Sequence, residues 1–344
     1  MSTCSQIDRG IIPEGARVLT LAGTRQIAQR KPAWMKRDVP LAGPVYRELK
    51  KEMRGSSLHT VCEEARCPNI HECWELREAS FLIGGSVCTR RCGFCNIASG
   101  KPGEYDQEEP ARVAETCARM GLHFAVVTGV ARDDLPDKAA WLYAQTCKEI
   151  HALLPHCGVE LLVDDFGGKR ALLEMVLDAE PQVLAHNLET VERTHRHTRP
   201  AFRYQRSLDI MRHSAAYAPA IARKSNIMLG LGETKEEVHK TMQDLVDAGC
   251  QILTINQYLQ PTHNHLALQR FIHPDEFAAY ADYGKSIGFI HVEAGPLVRS
   301  SYMAGEQAIK AGVWRRPTEE DERAIAQARE AAQAREAALE KAGV

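Results

Sequence analysis

Chemistry in this sequence begins with its cysteines. Six of the eleven fall between Cys62 and Cys95, in two groups. Cys88, Cys92 and Cys95 form a C-x3-C-x2-C run, and Cys62, Cys67 and Cys73 form C-x4-C-x5-C. Three thiolates on one short loop can hold three corners of a four-iron cluster, because soft thiolates favour iron–sulfur assemblies. The fourth iron then lacks a protein ligand, and that open position is where a substrate can bind. Zinc would instead call for a fourth nearby Cys or His. The nearest later histidine is His123, and His71 lies inside the other cysteine group. By spacing alone, that earlier group suits a structural role as well as a second cluster. Cys4, Cys117, Cys147, Cys157 and Cys250 are scattered and read as small apolar residues or surface thiols. The first thirty residues carry Asp8 and Glu14 and lack an apolar core with a cleavage site. No secretory signal is read there, so clustered cysteines suggest metal ligands before disulfides, and a cytoplasmic setting is expected.

Such loops need a rigid scaffold, and the pattern from Ala79 onward supplies one. Short apolar runs (Phe81–Ile83, Phe124–Val127, Val159–Val163, Val183–Ala185, Ile227–Leu229, Ile252–Ile255, Phe289–Val292) alternate with helical patterns. The helices are expected at Pro110–Met120, Lys138–Leu154, Arg170–Leu177, Ser207–Ala216, Lys235–Ala248 and Pro274–Ile287. Continuous apolar strands alternating with helices predict an α/β fold with a parallel sheet. Six or seven units suggest a barrel or partial barrel, with its chemistry at the strands' C-terminal ends. A doubly wound sheet is the rival, although no G-x-G-x-x-G follows the first strand. Three regions are expected: an N-terminal extension over 1–78, the barrel over 79–313 and a charged helical tail over 314–344. The extension, basic from Arg25 to Arg37 with Pro32, Pro40 and Pro44, reads as an extended arm. In the tail, Thr318 and Asp321 make a weak capping box, and the few apolar anchors (Ile325, Leu339) predict a solvated helix. No run approaches the roughly 20 apolar residues of a membrane helix. A formal net charge of −2 gives no sign of a nucleic-acid binder.

The C-x3-C-x2-C run follows a predicted strand and has Phe94 before its last cysteine; in this it resembles the radical S-adenosylmethionine superfamily. Within it, Val61-Cys-Glu-Glu-Ala-Arg-Cys-Pro-Asn69 followed by Glu72-Cys-Trp74 resembles the lipoyl synthase family. The resemblance runs from about Lys31 to Tyr302. It includes Val126-Val-Thr128, Arg132-Asp-Asp-Leu135, His186-Asn-Leu-Glu-Thr-Val191, Gly230-Leu-Gly-Glu-Thr234, Gln257-Tyr-Leu-Gln-Pro261 and Gly295-Pro-Leu-Val-Arg-Ser-Ser-Tyr302. It implies a partial (β/α)6 TIM-type barrel and two [4Fe-4S] clusters. Cys88, Cys92 and Cys95 would hold the cluster whose open iron chelates S-adenosylmethionine and yields a 5′-deoxyadenosyl radical. Cys62, Cys67, Cys73 and Ser301 would hold a sacrificial auxiliary cluster that gives its sulfides to carbons 6 and 8 of a protein-bound octanoyl-lysine. Implied partners are octanoylated lipoyl carriers (lipoyl domains of 2-oxoacid dehydrogenases, the glycine cleavage H protein), a flavodoxin- or ferredoxin-type donor and an iron–sulfur cluster carrier. No nucleic acid or membrane partner is implied. Ser86, Ala131, Asp164, Asn256 and Met303 depart from the family's usual wording.

Weaker signals surround these motifs. Gly230 and Gly232 let a backbone approach a ligand, and with Glu233 they read as part of an S-adenosylmethionine pocket. Thr234 and Glu237 form a capping box for the next helix. Asn187 and Glu189 have the right types for ribose hydroxyls or the amino group, and Arg199 for the methionine carboxylate. The histidine pairs 195/197 and 263/265 lie in polar loops at a spacing that does not converge, so they are not read as metal ligands. The rival functions are a methylthiotransferase-like enzyme, which would need an RNA-binding domain, and an iron–sulfur scaffold or electron carrier, which would need no open iron.

Overall fold

The computed structural model describes residues 17–21, 24–28, 30–36, 43–55, 60–64, 67, 69–103 and 105–342. Cys4, Arg37 and Pro40 lie outside the described residues. The N-terminal extension is not a plain arm. It contains an antiparallel hairpin, β1 (Arg17–Leu21) and β2 (Thr24–Ala28), then helices α1 (Pro44–Gly55), α2 (Val61–Glu64) and α3 (Ile70–Glu75). Charged residues dominate α1 and mask its helical spacing. Tyr46 and Leu49, three apart, are nevertheless buried, and Tyr46 packs on Trp74 of α3 with ring centroids 5.5 Å apart.

Next come β3 (Glu78–Ile83), the short parallel pair β4 (Val87–Cys88) and β5 (Ala98–Ser99), α4 (Glu109–Met120), β6 (Phe124–Gly129), α5 (Ala140–Leu153), β7 (Gly158–Leu162) and α6 (Arg170–Leu177). The chain continues through β8 (Val183–Ala185), α7 (Glu192–Thr198), α8 (Tyr204–Tyr217), β9 (Ala222–Leu229), α9 (Lys235–Asp247), β10 (Ile252–Gln257), α10 (Pro274–Ile287), β11 (His291–Gly295), α11 (Ala304–Lys310) and α12 (Glu319–Ala342). Seven strands form one parallel sheet in the order β3-β6-β7-β8-β9-β10-β11, so neighbours in space are neighbours in the chain. A doubly wound sheet reverses direction at a switch point; this one does not. Six strand–helix units with a seventh strand make an open sheet of the barrel type.

The two faces of the sheet have different partners. Leu253 and Ile255 pack among the helices, whereas Ile252 joins Phe124, Val126, Val183 and Ala222 against Ala304 and Ala308 of α11. The segment after β11 therefore folds back onto the inner face. Buried polar residues share that face: Lys224 of β9 reaches Glu160 of β7 at 2.8 and 3.1 Å, both side chains being 1% exposed. The tail also departs from expectation. Ile325 and Ala332 of α12 are buried with Val113, Ala114 and Cys117 of α4, and Arg329 Nε donates to Arg119 O at 3.0 Å. Two apolar residues and an arginine suffice to dock an otherwise polar helix, which a count of apolar anchors does not reveal; the side chain of Leu339 is not described. The cap holds as expected, with Thr318 N on Asp321 Oδ2 at 2.8 Å and Asp321 N on Thr318 Oγ1 at 3.3 Å.

Candidate active site

The loop after β3 carries Cys88, Cys92 and Cys95 at the C-terminal end of the sheet. It is pinned at several points. Cys88 lies in β4, which pairs with β5, and its Sγ accepts from Arg90 N at 3.4 Å and Ala131 N at 3.3 Å. Gly93 N donates to Thr198 O, and Leu266 N donates to Gly93 O, both at 2.9 Å. Arg90 anchors the loop from below. Its guanidinium meets Asp133 at 2.7 and 2.9 Å and Asp165 at 2.7 Å, and lies 4.4 Å from the Phe202 ring centroid. Burial raises the Cys92 thiol, opposed by the Arg199 charge, and lifts Cys95 to about 11, with Cys92 and Cys88 adding to the rise.

The expected pocket residues gather beside this loop. Asn187 Nδ2 donates to Glu189 Oε1 at 3.0 Å, and Asn226 Nδ2 to Glu189 Oε2 at 2.9 Å. Thr254 Oγ1 extends the row by donating to Asn226 Oδ1 at 2.8 Å. Glu189 adopts φ +70°, strained for a residue with a side chain, and its backbone bridges to β9. Burial raises its carboxyl, opposed by Arg199, Asn187 and Asn226, and its charge reaches Cys92 and Cys95. Arg199 stacks over Phe202 at 3.6 Å and donates to Asn187 O, while its buried Nε has no partner among the described residues. Gly230 must be glycine. At φ +108° an added Cβ would sit 2.5 Å from Gln257 Nε2 and 2.7 Å from Arg270 O. Glu233 turns back on its own loop, accepting from Gly230 N at 2.5 Å and Leu231 N at 2.9 Å, so it shapes the turn.

Sequence reading missed several members of this neighbourhood. Asn226 lies on β9 just before the expected apolar run Ile227–Leu229, and Thr254 is the polar residue inside the run Ile252–Ile255. The segment from Tyr258 to His273 ties the cysteine loop to the glycine loop through Leu266 N on Gly93 O and Gln269 N on Gly230 O, the latter at 2.8 Å. His265 contributes, its ring nitrogens 3.0 Å from Cys95 O and 2.8 Å from Thr262 Oγ1. His195 and His197, expected in a loop, belong to α7, where His195 is buried and His197 exposed. Polar residues throughout α7 had disguised it. Asn256, one of the departures, is buried, and its Oδ1 has no partner among the described residues.

Cys62 of α2, Cys67, and Cys73 of α3 line a second cavity together with Ser301. Glu78, Ser80, Val126 and Arg299 are among the other residues of its wall, and its empty volume is about 330 Å³, open solvent at the mouth included. Long-range contacts bring these distant segments together. Asn69 Nδ2 donates to Leu297 O at 2.6 Å, Tyr302 OH to Glu72 Oε2 at 3.0 Å, and Gly305 N to Glu78 Oε2 at 3.2 Å. Burial lifts the Cys62 thiol to about 11, helped by the charge of Cys67, and pushes Cys73 higher still. Burial likewise raises the Glu78 carboxyl to about 7. All ten described cysteines are unpaired, with Cys117, Cys147, Cys157 and Cys250 buried away from both groups. Among the described residues no three His, Cys, Asp or Glu side chains are grouped as a single metal ion requires. Cysteines of a multi-iron cluster each bind a different iron, so they surround a volume instead of converging on a point.

Residues 82–245 match the radical SAM superfamily, and the sheet with a three-cysteine loop at its C-terminal end agrees. The class is thus a radical enzyme that uses a [4Fe-4S] cluster and S-adenosylmethionine. Residues 18–67 match the N-terminal domain of lipoyl synthase of that superfamily. The chain is 53% identical over 306 residues to the lipoyl synthase of Corynebacterium kroppenstedtii, covering 88% of this chain and 87% of the relative. It is 54% identical over 295 residues to that of Leifsonia xyli (85% and 89%) and 53% identical over 306 residues to that of Frankia alni (88% and 92%). The chain belongs to the lipoyl synthase family, whose members are sulfur-inserting enzymes of the radical SAM type. No helix among the described residues is long and apolar enough to cross a membrane.

Proposed function

We propose that this chain inserts sulfur at carbons 6 and 8 of an octanoyl group amide-linked to a carrier lysine, consuming an auxiliary [4Fe-4S] cluster as the sulfur donor. Cys88, Cys92 and Cys95 hold the radical cluster, whose open iron and S-adenosylmethionine, when bound, supply the deoxyadenosyl radical that no side chain could provide. Around it the unpartnered Nε of Arg199 suits the methionine carboxylate, and the stack on Phe202 holds the guanidinium flat toward it. Glu189, braced by Asn187 and Asn226, suits the amino group or ribose hydroxyls. Gly230 and Gly232 keep the backbone free of side chains there, with Glu233 locking their turn. Phe81 and Ile83 are fully buried beneath the loop, so its sulfurs rest on a firm strand.

The single observation that carries the reading is the second cavity. Ser301 lines the same cavity as Cys62, Cys67 and Cys73, which puts a fourth donor beside the three thiols. Three thiolates and one hydroxyl make an unequal ligand set. The serine oxygen is the harder, weaker ligand for iron, and so the natural first point of release. Fixing the donor inside the protein puts sulfide within reach of a carbon radical before other reactions intervene.

In this reading residues 1–78 form the extension carrying three auxiliary ligands, 79–313 the barrel and 314–344 a tail docked on α4. The substrates are octanoylated lipoyl domains and the H protein of glycine cleavage. A flavodoxin or ferredoxin supplies electrons, and a cluster carrier refills the auxiliary site in the cytoplasm. The test is anaerobic reconstitution followed by mass analysis of an octanoyl-lysine peptide. Two added sulfurs support the reading. Deoxyadenosine without thiolated product, from protein holding both clusters, would overturn it.

A further inference from the structure

Arg299 is an anomaly in the wall of the second cavity. It lines the cavity beside the three cysteines and Ser301, yet among the described residues its one side-chain hydrogen bond runs from Nη1 to the neighbouring Val298 O at 2.5 Å. Among the described residues no carboxylate lies within salt-bridge distance of it, and Cys67 is the one ionisable group whose charge it senses. Buried Arg90 and Arg132, by contrast, both pair with aspartates. Arg299 is half-buried, and a guanidinium partly withdrawn from water gains from an anion beside it, which a cluster filling the cavity would bring. Its place is also fixed. Asn69 on Leu297 O and Tyr302 on Glu72 clamp the loop on either side of Arg299.

We propose that Arg299 is the counter-charge of the auxiliary cluster, its guanidinium beside Cys67 neutralising part of the anion that three thiolates and a serine oxygen make around the irons. This rests on the auxiliary-cluster reading above. Among the described residues that line the cavity, Arg299 is the cationic one; Glu78, the carboxylate in the wall, accepts from Gly305 N. The charge bears on the cluster's redox state. When a carbon radical bonds to a sulfide, the new C–S bond takes the carbon's unpaired electron and one electron of the sulfide pair, and the electron left over reduces iron. The sulfide becomes a thiolate as iron gains that electron, so the cluster's total charge is unchanged in this step. Uptake of an electron from an external donor does add negative charge, and a fixed positive charge raises the potential of that reduction. Arg299 is therefore a positioning residue acting through electrostatics.

The test uses the full chain with Cys88, Cys92 and Cys95 replaced by alanine, so that only the auxiliary cluster reports. Iron and sulfide are counted after anaerobic reconstitution, and the midpoint potential is read by spectroscopic redox titration. Arg299→Met in that background should keep its iron and shift the midpoint to a more negative potential, while Arg299→Lys, which keeps the charge, should stay near the parent. An unchanged midpoint in Arg299→Met at full iron content would overturn the proposal. Should Arg299→Met fail to hold iron, Arg299→Lys decides. A complete cluster at the parent potential supports a charge role, and equal depletion in both variants overturns it. Absence of any cluster in the parent background removes the auxiliary-cluster reading itself, and the proposal with it.

Discussion

Replacing Arg90 by methionine should loosen the radical-cluster loop. The guanidinium is 4% exposed and bonds Asp165, which is fully buried, at 2.7 Å. Breaking a buried pair by removing one partner costs about 3–5 kcal/mol. Asp165 retains Arg206 at 2.6 Å, so the lower end applies. Asp133 is 35% exposed and retains Lys138, which holds this second pair to no more than about 1 kcal/mol. The lost stacking on Phe202 adds about 1 kcal/mol. Together these give ~4 kcal/mol, a large share of the 5–15 kcal/mol typical of a folded protein. Urea unfolding of the ligand-free protein measures the loss, and iron retention after reconstitution measures its effect on the loop. Arg91→Met, at the exposed neighbouring position, should stay within about 0.5 kcal/mol. Wild-type stability and full iron in Arg90→Met would refute the claim that this residue holds the loop.

Replacing Cys62, Cys67 and Cys73 together should preserve deoxyadenosine formation and abolish thiolated product; normal sulfur insertion by that variant would reduce the triad to a structural role. Ser301→Ala should retain the radical cluster yet impair sulfur insertion in a single turnover, and Ser301→Cys should bind the auxiliary cluster firmly but turn over poorly. Ser300→Ala, outside the cavity wall, should be far milder, and equal defects at the two serines would argue against a specific ligand. Lys224→Met should destabilise by about 3–5 kcal/mol, while Lys224→Met with Glu160→Leu should lie near wild type in urea unfolding. Burial already raises the Glu160 carboxyl despite Lys224, and losing the lysine raises it further. A raised carboxyl in the folded state favours folding below the unfolded carboxylate range and weakens it as pH rises through the folded value. The single variant's deficit should therefore shrink on acidification, and a deficit that grows would reverse the assignment.

The scaffold was legible where apolar periodicity was strong. Strands and helices from Phe81 to Ile287 fall close to their expected places because each strand is buried on both faces and each helix has a clear stripe. Strand order was not legible, since sequential and doubly wound sheets share one pattern; only the pairing register separates them. Helices α1 and α7 escaped notice because polar residues fill them and tertiary contacts through Tyr46, Leu49 and His195 decide their fate. The radical loop was readable as a local motif, with all its ligands within eight residues. Ser301 could be named only by resemblance, for no local property marks a loop serine whose partners lie more than 220 residues away. Arg90 and Arg299 were ordinary basic residues until the fold showed one among aspartates and the other with none.

The central claim is that the chain supplies both inserted sulfurs from its own auxiliary cluster. The direct measurement is a single turnover of protein reconstituted with isotopically heavy sulfide and then freed of unbound sulfide, with mass analysis of the octanoyl-lysine product. Two heavy sulfurs per product, with loss of the auxiliary cluster alone, is the predicted result. Product sulfur at natural isotope abundance, or product formed while the auxiliary cluster stays intact, would contradict the account.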